Sequence, residues 1–351
     1  MLKRLCFTVL FLLMTGTGFS QNIVGFVDGY YGYNFNKPGS GRNVYRNFDV
    51  NHNQFSLNYT ELAVEQKPAQ GSPFGFRADI GFGDAATMVH SSEPAGADIY
   101  RYLQQAYLSA AKGKVQVDFG KFVTQHGAEV IETKDNWNYS RSLLFSWAIP
   151  YYHFGTRLAY TANDKVTLGA SISNGWNNVV DNNEGKTVGF QAILKPVSKF
   201  TFVQNYMVGK EQSGINVDAV RHLSDTTATL DVTPKLSLMA NYDYGMDRSG
   251  KARVRWQGVA FYGKVSPTSK FKLIPRIEWF DDPQGFTTGT SQTLKEGTLT
   301  AEITMAENTF LRGEYRYDWS DQAVFERNAN RFLSHQSSLT LGVVYTYSKT
   351  K

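Results

Sequence analysis

The sequence predicts an all-β chain, a transmembrane, antiparallel, up-and-down β-barrel of about 16 strands around a water-filled lumen. Three observations predict this fold class. Hydrophobicity alternates with a period of two, short polar links alternate with long irregular ones, and aromatic residues make up 14% of the chain. A period of two gives each strand one apolar and one polar face, and no comparable stretch follows the period of a helix.

The composition excludes several other classes of protein. Charged residues are 19% of the 351 residues, below the ~25% of an average soluble domain. Aromatic residues are too frequent for a disordered chain. The mean hydropathy of −0.35 excludes a bundle of membrane-spanning helices.

Residues 1–20 have the order of a secretory signal peptide. Lys3 and Arg4 precede an apolar run at 5–14, which is too short to span a bilayer as a helix, and small residues follow it. We expect the remainder, 21–351, to form a single barrel domain. It holds 34 basic and 31 acidic residues and no cysteine, so no disulfide forms. This net charge of +3 is too weak to predict a nucleic-acid partner.

The alternation separates charged from apolar side chains. A charge at mid-membrane on the lipid-facing side costs about 2–4 kcal/mol, so the separation suits an apolar face turned toward lipid. A soluble β-sandwich also alternates, and alternation alone does not distinguish the two. Tyr and Trp near the strand ends favour the barrel, because they suit the membrane interfaces. Five segments show every Arg, Lys, Asp and Glu in the polar phase: 74–82, 166–173, 271–279, 311–318 and 339–347.

The links between strands predict the strand number. Short polar links and longer irregular links alternate, as in barrels with short periplasmic turns and long outer loops. The short links are 67–73, 111–114, 162–165, 195–199, 233–235, 266–270 and 306–309. The long links are 35–52, 83–99, 124–150, 177–186, 211–223, 248–257, 282–293 and 319–335. Together they predict sixteen strands, with a bulge near Thr60 where the apolar phase of 53–66 slips.

The polar phase of the strands predicts the lining of the lumen. A barrel of this size is wide enough to hold water, and charged groups on its wall tune permeation. Both signs of charge occur, and any single residue could equally brace the wall. The predicted pore-lining residues are Arg77, Asp79, Asp118, His153, Arg157, Arg276, Glu278, Arg312, Glu314, Arg316 and Asp318.

The longest link, 124–150, predicts a constriction. It combines many apolar residues with several charges, which is unusual for a freely exposed loop. We expect it to fold into the pore, with its carboxylates facing arginines on the wall. An outer cap or a contact between subunits is the alternative. The residues assigned to this constriction loop are Glu129, Glu132, Asp135 and Arg141.

Several motifs within 53–177 resemble the OmpL-like β-barrel porin family. They include Gly120-Lys121-Phe122, the runs 126–132 and 135–142, and Asn174-Gly175-Trp176. The resemblance implies a barrel in the outer membrane of a Gram-negative cell, with pore activity. We therefore expect an outer-membrane porin, a passive channel that filters small hydrophilic solutes by size and lumen charge. By analogy alone, copies of the chain would assemble into a homo-oligomer such as a trimer.

The sequence carries little sign of other chemistry. Its six histidines lack metal-ligand spacing, and no nucleophile elbow, phosphate loop or dinucleotide motif occurs, so we predict no enzyme activity, no metal and no cofactor. Two alternatives stay open. One is a secreted β-sandwich adhesin or carbohydrate-binding protein that uses Trp137, Trp147 and Trp176. The other is a barrel hydrolase in which His153 pairs with Ser140 or Ser142.

Overall fold

The structure is a computed structural model that describes residues 21–94, 96–213, 219–249 and 252–350. The predicted signal peptide, residues 1–20, lies outside the described residues. Across these ranges, none of the helices is both long and apolar enough to cross a membrane.

Within the described residues, sixteen strands form one closed antiparallel barrel, so the predicted strand number is confirmed. β1 to β15 and β18 pair in chain order, and β18 closes the ring by pairing with both β15 and β1. β16 and β17 form a separate hairpin in the last long link. The strands are β1 Asn22–Asn34, β2 Gln54–Gln66, β3 Phe74–Phe82, β4 Leu103–Lys112, β5 Val115–Val123, β6 Tyr152–Asn163, β7 Val166–Ser173, β8 Thr187–Val197, β9 Phe200–Gly209, β10 Arg221–Thr233, β11 Leu236–Ser249, β12 Ala252–Val265, β13 Phe271–Asp282, β14 Gln292–Ala306, β15 Thr309–Ser320, β16 Phe325–Arg327, β17 Arg331–Leu333 and β18 His335–Thr350.

The helices are short and lie in the links. α1 spans Asp84–Val89 and α2 spans Leu143–Trp147. Single 3₁₀ turns occur at Asp98–Arg101, Thr133–Asp135 and Asn328–Asn330. None of these elements belongs to the barrel wall.

The barrel is apolar on the outside and charged on the inside, as the alternation predicts. Ile277 and Leu341 face outward and are 61% and 56% exposed, whereas Arg276 and Arg316 face inward and are each 1% exposed. A soluble sandwich would bury the first pair and expose the second. The β-sandwich alternative is therefore wrong, because the apolar face of this closed sheet points away from the interior of the barrel.

Two local irregularities refine the predicted strands. The register between β1 and β2 shifts so that Asn58 is the extra residue of a bulge, two positions before Thr60. Most of the predicted long link 248–257 is instead strand, because β11 extends to Ser249 and β12 begins at Ala252. The charges of Arg248, Arg253 and Arg255 are typical of a loop, but these residues lie on the ends of the two strands.

Three long links enter the barrel instead of covering it. They are the first link (35–53), the second link (83–102) and the lumen loop (124–151), numbered by the ends of the flanking strands. Their apolar residues, such as Phe48, Val89 and Phe145, form one buried cluster with inward-facing residues of the wall. The interior that the sequence predicts as water-filled is thus partly filled with folded chain.

Candidate functional site

The lumen loop leaves β5 at Thr124, crosses the interior and returns to β6 at Tyr151. A loop buried in this way must find partners for its backbone groups. Within the loop, the hydroxyl of Ser142 accepts a hydrogen bond from the amide of Phe145 at 2.9 Å and caps α2. Charged side chains of the wall supply many of the other partners.

Wall arginines hold the carbonyl groups of the lumen loop. Arg276 donates to the carbonyl oxygen of Ser140 at 2.7 Å, and Arg316 donates to that of Arg141 at 2.6 Å. Arg312 donates to the carbonyl oxygens of residues 133 and 138 at 2.8 and 3.0 Å. The planar guanidinium offers several donors at fixed angles, which suits it to bridging a strand and a folded loop.

Wall carboxylates hold the amide groups of the same loop. Glu314 accepts the backbone N–H groups of Tyr139 and Ser140 at 2.7 and 3.0 Å. Glu278 accepts those of residues 143 and 144, at the start of α2, at 3.1 and 3.3 Å. The sequence predicts that charged residues of β13 and β15 line the pore. They instead form hydrogen bonds to the loop backbone, and they are almost completely buried.

The four predicted loop charges have different surroundings. Glu129 faces the wall as predicted, because it pairs with Arg276 at 2.9 Å. Arg141 instead braces the loop itself, since it donates to the carbonyl oxygens of Val130 and Tyr139. Asp135 pairs with the neighbouring Lys134 and not with a wall arginine. Glu132 is buried, and burial raises the pKa of its carboxyl above the ordinary value.

The first link supplies a contact that the sequence analysis missed. Arg46 donates to Asp318 at 2.7 Å and to the hydroxyl of Ser338 at 3.0 Å, and it also pairs with Asp49. Phe48 packs against the ring of Phe145 on α2. Asp318, predicted to line the pore, is therefore covered by this link. The sequence of the first link offers only a weak signal, a few apolar residues among many polar ones.

A lysine of the barrel wall is one anchor of the second link. Lys121, at the outer end of β5, donates to the carbonyl oxygens of Tyr100 and Leu103 at 3.1 and 2.6 Å. Its ammonium also contacts the imidazole of His90, which is buried just after α1. Burial and this neighbouring cation lower the pKa of His90 to about 3.

The predicted pore-lining residues on β3, β5 and β6 form ion pairs on the wall. Arg77 bonds Asp79 at 2.8 Å, and Arg157 bonds Asp118 at the same distance. The lumen loop leaves the two arginines partly open to water, unlike those on β13 and β15. His153 is buried and hydrogen-bonded to the carbonyl oxygen of Gly175 at 3.0 Å.

Water therefore reaches one side of the lumen more than the other. Inward-facing side chains of β12–β15 and β18 are mostly buried beneath the loops, whereas those of β7–β11 are partly exposed in the half nearest the short turns, as at Gln191, Val203 and Thr229. Beyond them lies a small cavity of about 10 Å³, enough for one water molecule. We call this cavity the neck; its lining includes Phe122, Gln125, His126, His153, Arg157, Ser171, Thr187 and Met207.

The residues proposed for hydrolysis are not assembled into a catalytic pair. Ser140 accepts hydrogen bonds from Arg276 and Ser142 caps α2, while His153 bonds Gly175 and the hydroxyl of Thr124. In the ranges described, no group of three or more His, Cys, Asp or Glu residues has the arrangement of a metal site.

The tryptophans proposed for carbohydrate binding make internal contacts. Trp147 donates to the carbonyl oxygen of Tyr45 at 3.2 Å, and the ring of Trp176 packs edge-on against Trp256. Trp137 packs against Tyr262, although part of its surface stays open. These contacts fix the loops in the barrel and do not form a shared sugar platform.

Solved structures of outer-membrane proteins share this fold. OmpT of Vibrio cholerae is 12% identical with a TM-score of 0.65, covering 95% of this chain and 99% of that one. An anion-selective porin from Comamonas acidovorans is 10% identical with a TM-score of 0.66, covering 93% and 100%. The channel DcaP of Acinetobacter baumannii is 10% identical with a TM-score of 0.59, covering 95% and 99%. One similar OmpT structure is a trimer form.

The family comparison covers almost the whole chain. The model of the family described as "Putative beta-barrel porin-2, OmpL-like" matches residues 20–347. No curated protein matches the sequence significantly. The family and the fold favour a channel over an enzyme. With its apolar exterior and charged lumen, the chain belongs to the OmpL-like β-barrel porin family and is a porin of the outer membrane.

Proposed function

We propose that this porin is a passive diffusion channel for small hydrophilic solutes, with no catalytic activity and no cofactor. The observation that carries the proposal is the lumen loop, which wall charges hold across the interior so that it narrows the water-accessible side. A loop anchored by Arg276, Glu278, Arg312, Glu314 and Arg316 is a fixed constriction and not a free cap.

The neck is the size filter in this proposal. Its cavity of about 10 Å³ holds a single water, so a larger solute passes only when neck side chains move aside. Met207 is the most adaptable of them, because its side chain is unbranched and flexible. The charges of Arg77 and Asp118 act on the solute before it reaches the neck, and Arg157 acts at the neck itself.

The proposal includes the surroundings of the barrel. Residues 1–20 direct export and are then removed, and residues 21–351 form the barrel in outer-membrane lipid. Several copies of the chain assemble into an oligomer, for which the trimer form of the similar OmpT gives a precedent. N-terminal sequencing of the purified protein and cross-linking in detergent test these two parts.

The decisive experiment measures conductance of the purified, refolded chain in a planar bilayer. We expect discrete current steps, and we expect neutral polymers above a cut-off size to leave these steps unchanged. Folding is checked separately by heat-modifiable migration on a gel. A folded chain that produces no steps in any lipid composition contradicts the proposal.

A further inference from the structure

Three ion pairs in the half of the lumen nearest the short turns share one asymmetry, whereas in the pair Lys134–Asp135 the acid is the more exposed partner. In the pair Arg77–Asp79 the side chains are 25% and 0% exposed, and in Arg157–Asp118 they are 27% and 5% exposed. The pair Lys272–Glu302 has values of 35% and 5%. In each of these three pairs the cation faces the water and the acid lies behind it.

The buried acids have few lone pairs left for a solute cation. Asp79 accepts from Arg77 and from the amide of Gln105, and Asp118 accepts from Ser109, Gln116 and Arg157. Each cation, in contrast, keeps part of its donor surface toward the passage. A passing solute therefore meets hydrogen-bond donors and positive charge.

Lys264 adds a cation that is held in another way. It faces inward near the end of β12, and its ammonium lies 4.3 Å from the centre of the Trp137 ring. Within the described residues Lys264 forms no ion pair within 4.0 Å. Together with Lys134, Lys272 and Arg312 it lines a cavity of about 430 Å³, in which the indole of Trp137 offers an apolar wall. The acids of this lining are Asp135, Glu302 and Glu307, so cations outnumber them by four to three.

These cations surround the passage. Arg77 and Arg157 lie on β3 and β6, whereas Lys264 and Lys272 lie on β12 and β13, about half a turn away around the sixteen-strand ring. Acids that also reach water in this half are Glu65, which pairs with Lys67 and Arg77, Asp135, which pairs with Lys134, and Asp231.

The rim at this end of the barrel is also basic. Six of the seven short turns carry an exposed lysine, and the acids within the turns are Asp164 and Glu307. A mouth lined by one sign of charge concentrates counter-ions and speeds their entry. The lysines are Lys67, Lys114, Lys165, Lys199, Lys235 and Lys270.

We propose that this half of the lumen is a cationic vestibule that makes the porin prefer anions, and that the cavity beside Lys264 and Trp137 binds small carboxylates. A carboxylate would accept hydrogen bonds from Lys264 and Lys272 while its apolar part lies against the indole. The proposal rests on the proposed diffusion function, because it names the class of solute that the channel favours.

Reversal potentials in a gradient of dilute KCl test the preference, since low salt preserves the field of exposed charges. We expect chloride to be more permeant than potassium and the ratio to fall at least twofold in the double variant Lys264→Gln/Lys272→Gln. Glu302 keeps Arg312 at 2.8 Å in that variant, so no carboxylate is stranded. Lys295→Gln is the matched control, because Lys295 is exposed on the outer face of β14.

Binding is measured without conductance, by saturation-transfer NMR with benzoate and with its uncharged analogue benzamide. We expect a larger signal for benzoate, lost in the double variant and kept in Lys295→Gln. A potassium preference, or equal signals for the two probes, overturns the proposal. A chain that yields no current steps but still favours benzoate supports the cationic vestibule while contradicting the diffusion function.

Discussion

Arginine side chains decide how this barrel holds a folded loop in its interior. Arg276 alone contacts Glu129, Glu296 and the carbonyl oxygen of Ser140, at 2.7 to 2.9 Å. The loop gains partners for its buried backbone, and the wall gains neutralised charges. Because Arg276 serves both wall acids and loop carbonyl groups, its removal strands buried groups and costs more than its own hydrogen bonds.

We expect Arg276→Met to loosen the lumen loop. The change leaves Glu129 and the Ser140 carbonyl without this donor, and breaking a buried ion pair costs about 3–5 kcal/mol. The folded band on a heat-modifiability gel should be lost at a lower temperature, and single-channel currents should become larger and noisier. Arg253→Met, at an exposed position near the outer end of β12, is the control. Equal melting of both variants contradicts the anchoring role.

Low pH should weaken the attachment of the lumen loop to the barrel wall, because His126 becomes protonated. Burial, with His153 nearby, lowers the pKa of His126 to about 3, whereas a detached loop has the ordinary value near 6.5. The detached state therefore binds more protons between these values, and the attached state loses about 1.4 kcal/mol for each pH unit as the pH falls through that window. Glu132 acts in the opposite sense, since its raised pKa favours the attached loop in acid.

Limited proteolysis across pH 3 to 7 measures this effect on the loop. Cleavage within 124–151 should rise as the pH falls in the wild type, and the rise should be smaller in His126→Gln. His335→Gln, at the outer end of β18, should behave as the wild type does. An unchanged pH profile in His126→Gln would show that another group controls the loop.

The lumen loop is attached to one side of the barrel wall and faces the neck on the other side. The loop is fixed to β13, β14 and β15 on one side, while β6 to β9 form the opposite wall of the neck. The anchored side cannot move without breaking charged contacts. The width of the passage can therefore change most readily at the neck, where Met207 lies beside Gln125 and His126 at the start of the lumen loop.

Met207→Ala should widen the neck. The truncation removes a buried, flexible side chain beside a cavity of about 10 Å³, and we expect a larger single-channel conductance with a higher size cut-off. Its cost in stability, about 2–5 kcal/mol, is typical of such a truncation. Met305→Ala is the matched control, because Met305 is 60% exposed on the outer surface. Equal conductance in the two variants would mean that the filter lies elsewhere.

The whole molecule is an inverted globule, with its apolar surface toward lipid and its charges inside. Closure of β18 on β1 removes the unpaired edges that a sheet in hydrocarbon cannot tolerate. The outward face then needs only to be apolar. The inner face has to supply hydrogen-bond and ion-pair partners for the three links that enter the barrel.

This polarity is tested by placing one arginine on each face. Leu341→Arg puts a charge on the lipid face and should cost up to about 2–4 kcal/mol, with a lower folded fraction in vesicles. Thr229→Arg places the same side chain on the partly exposed lumen face of β10 and should fold nearly as well as the wild type. If the two variants fold equally well, the assigned faces are wrong.

The candidate site was predictable only in part. The inward phase of Arg276, Glu278, Arg312, Glu314 and Arg316 follows from the alternation. The expectation that Glu129 faces a wall arginine follows from the length and composition of the longest link. The sequence does not show that most of these groups hold backbone amides and carbonyls, because every residue carries the same backbone. It also hides the contact between Arg46 and Asp318, which lie 272 positions apart.

The sequence by itself determined the faces of the strands, their number and the closed antiparallel plan. These follow from local alternation and link length, and the membrane selects one face for each strand. Only the tertiary structure decided which links enter the barrel, which charges they cover and which cations still reach water. Those outcomes depend on side chains that meet across the lumen, such as Glu129 and Arg276, 147 positions apart, and the chain encodes no local signal for such a meeting.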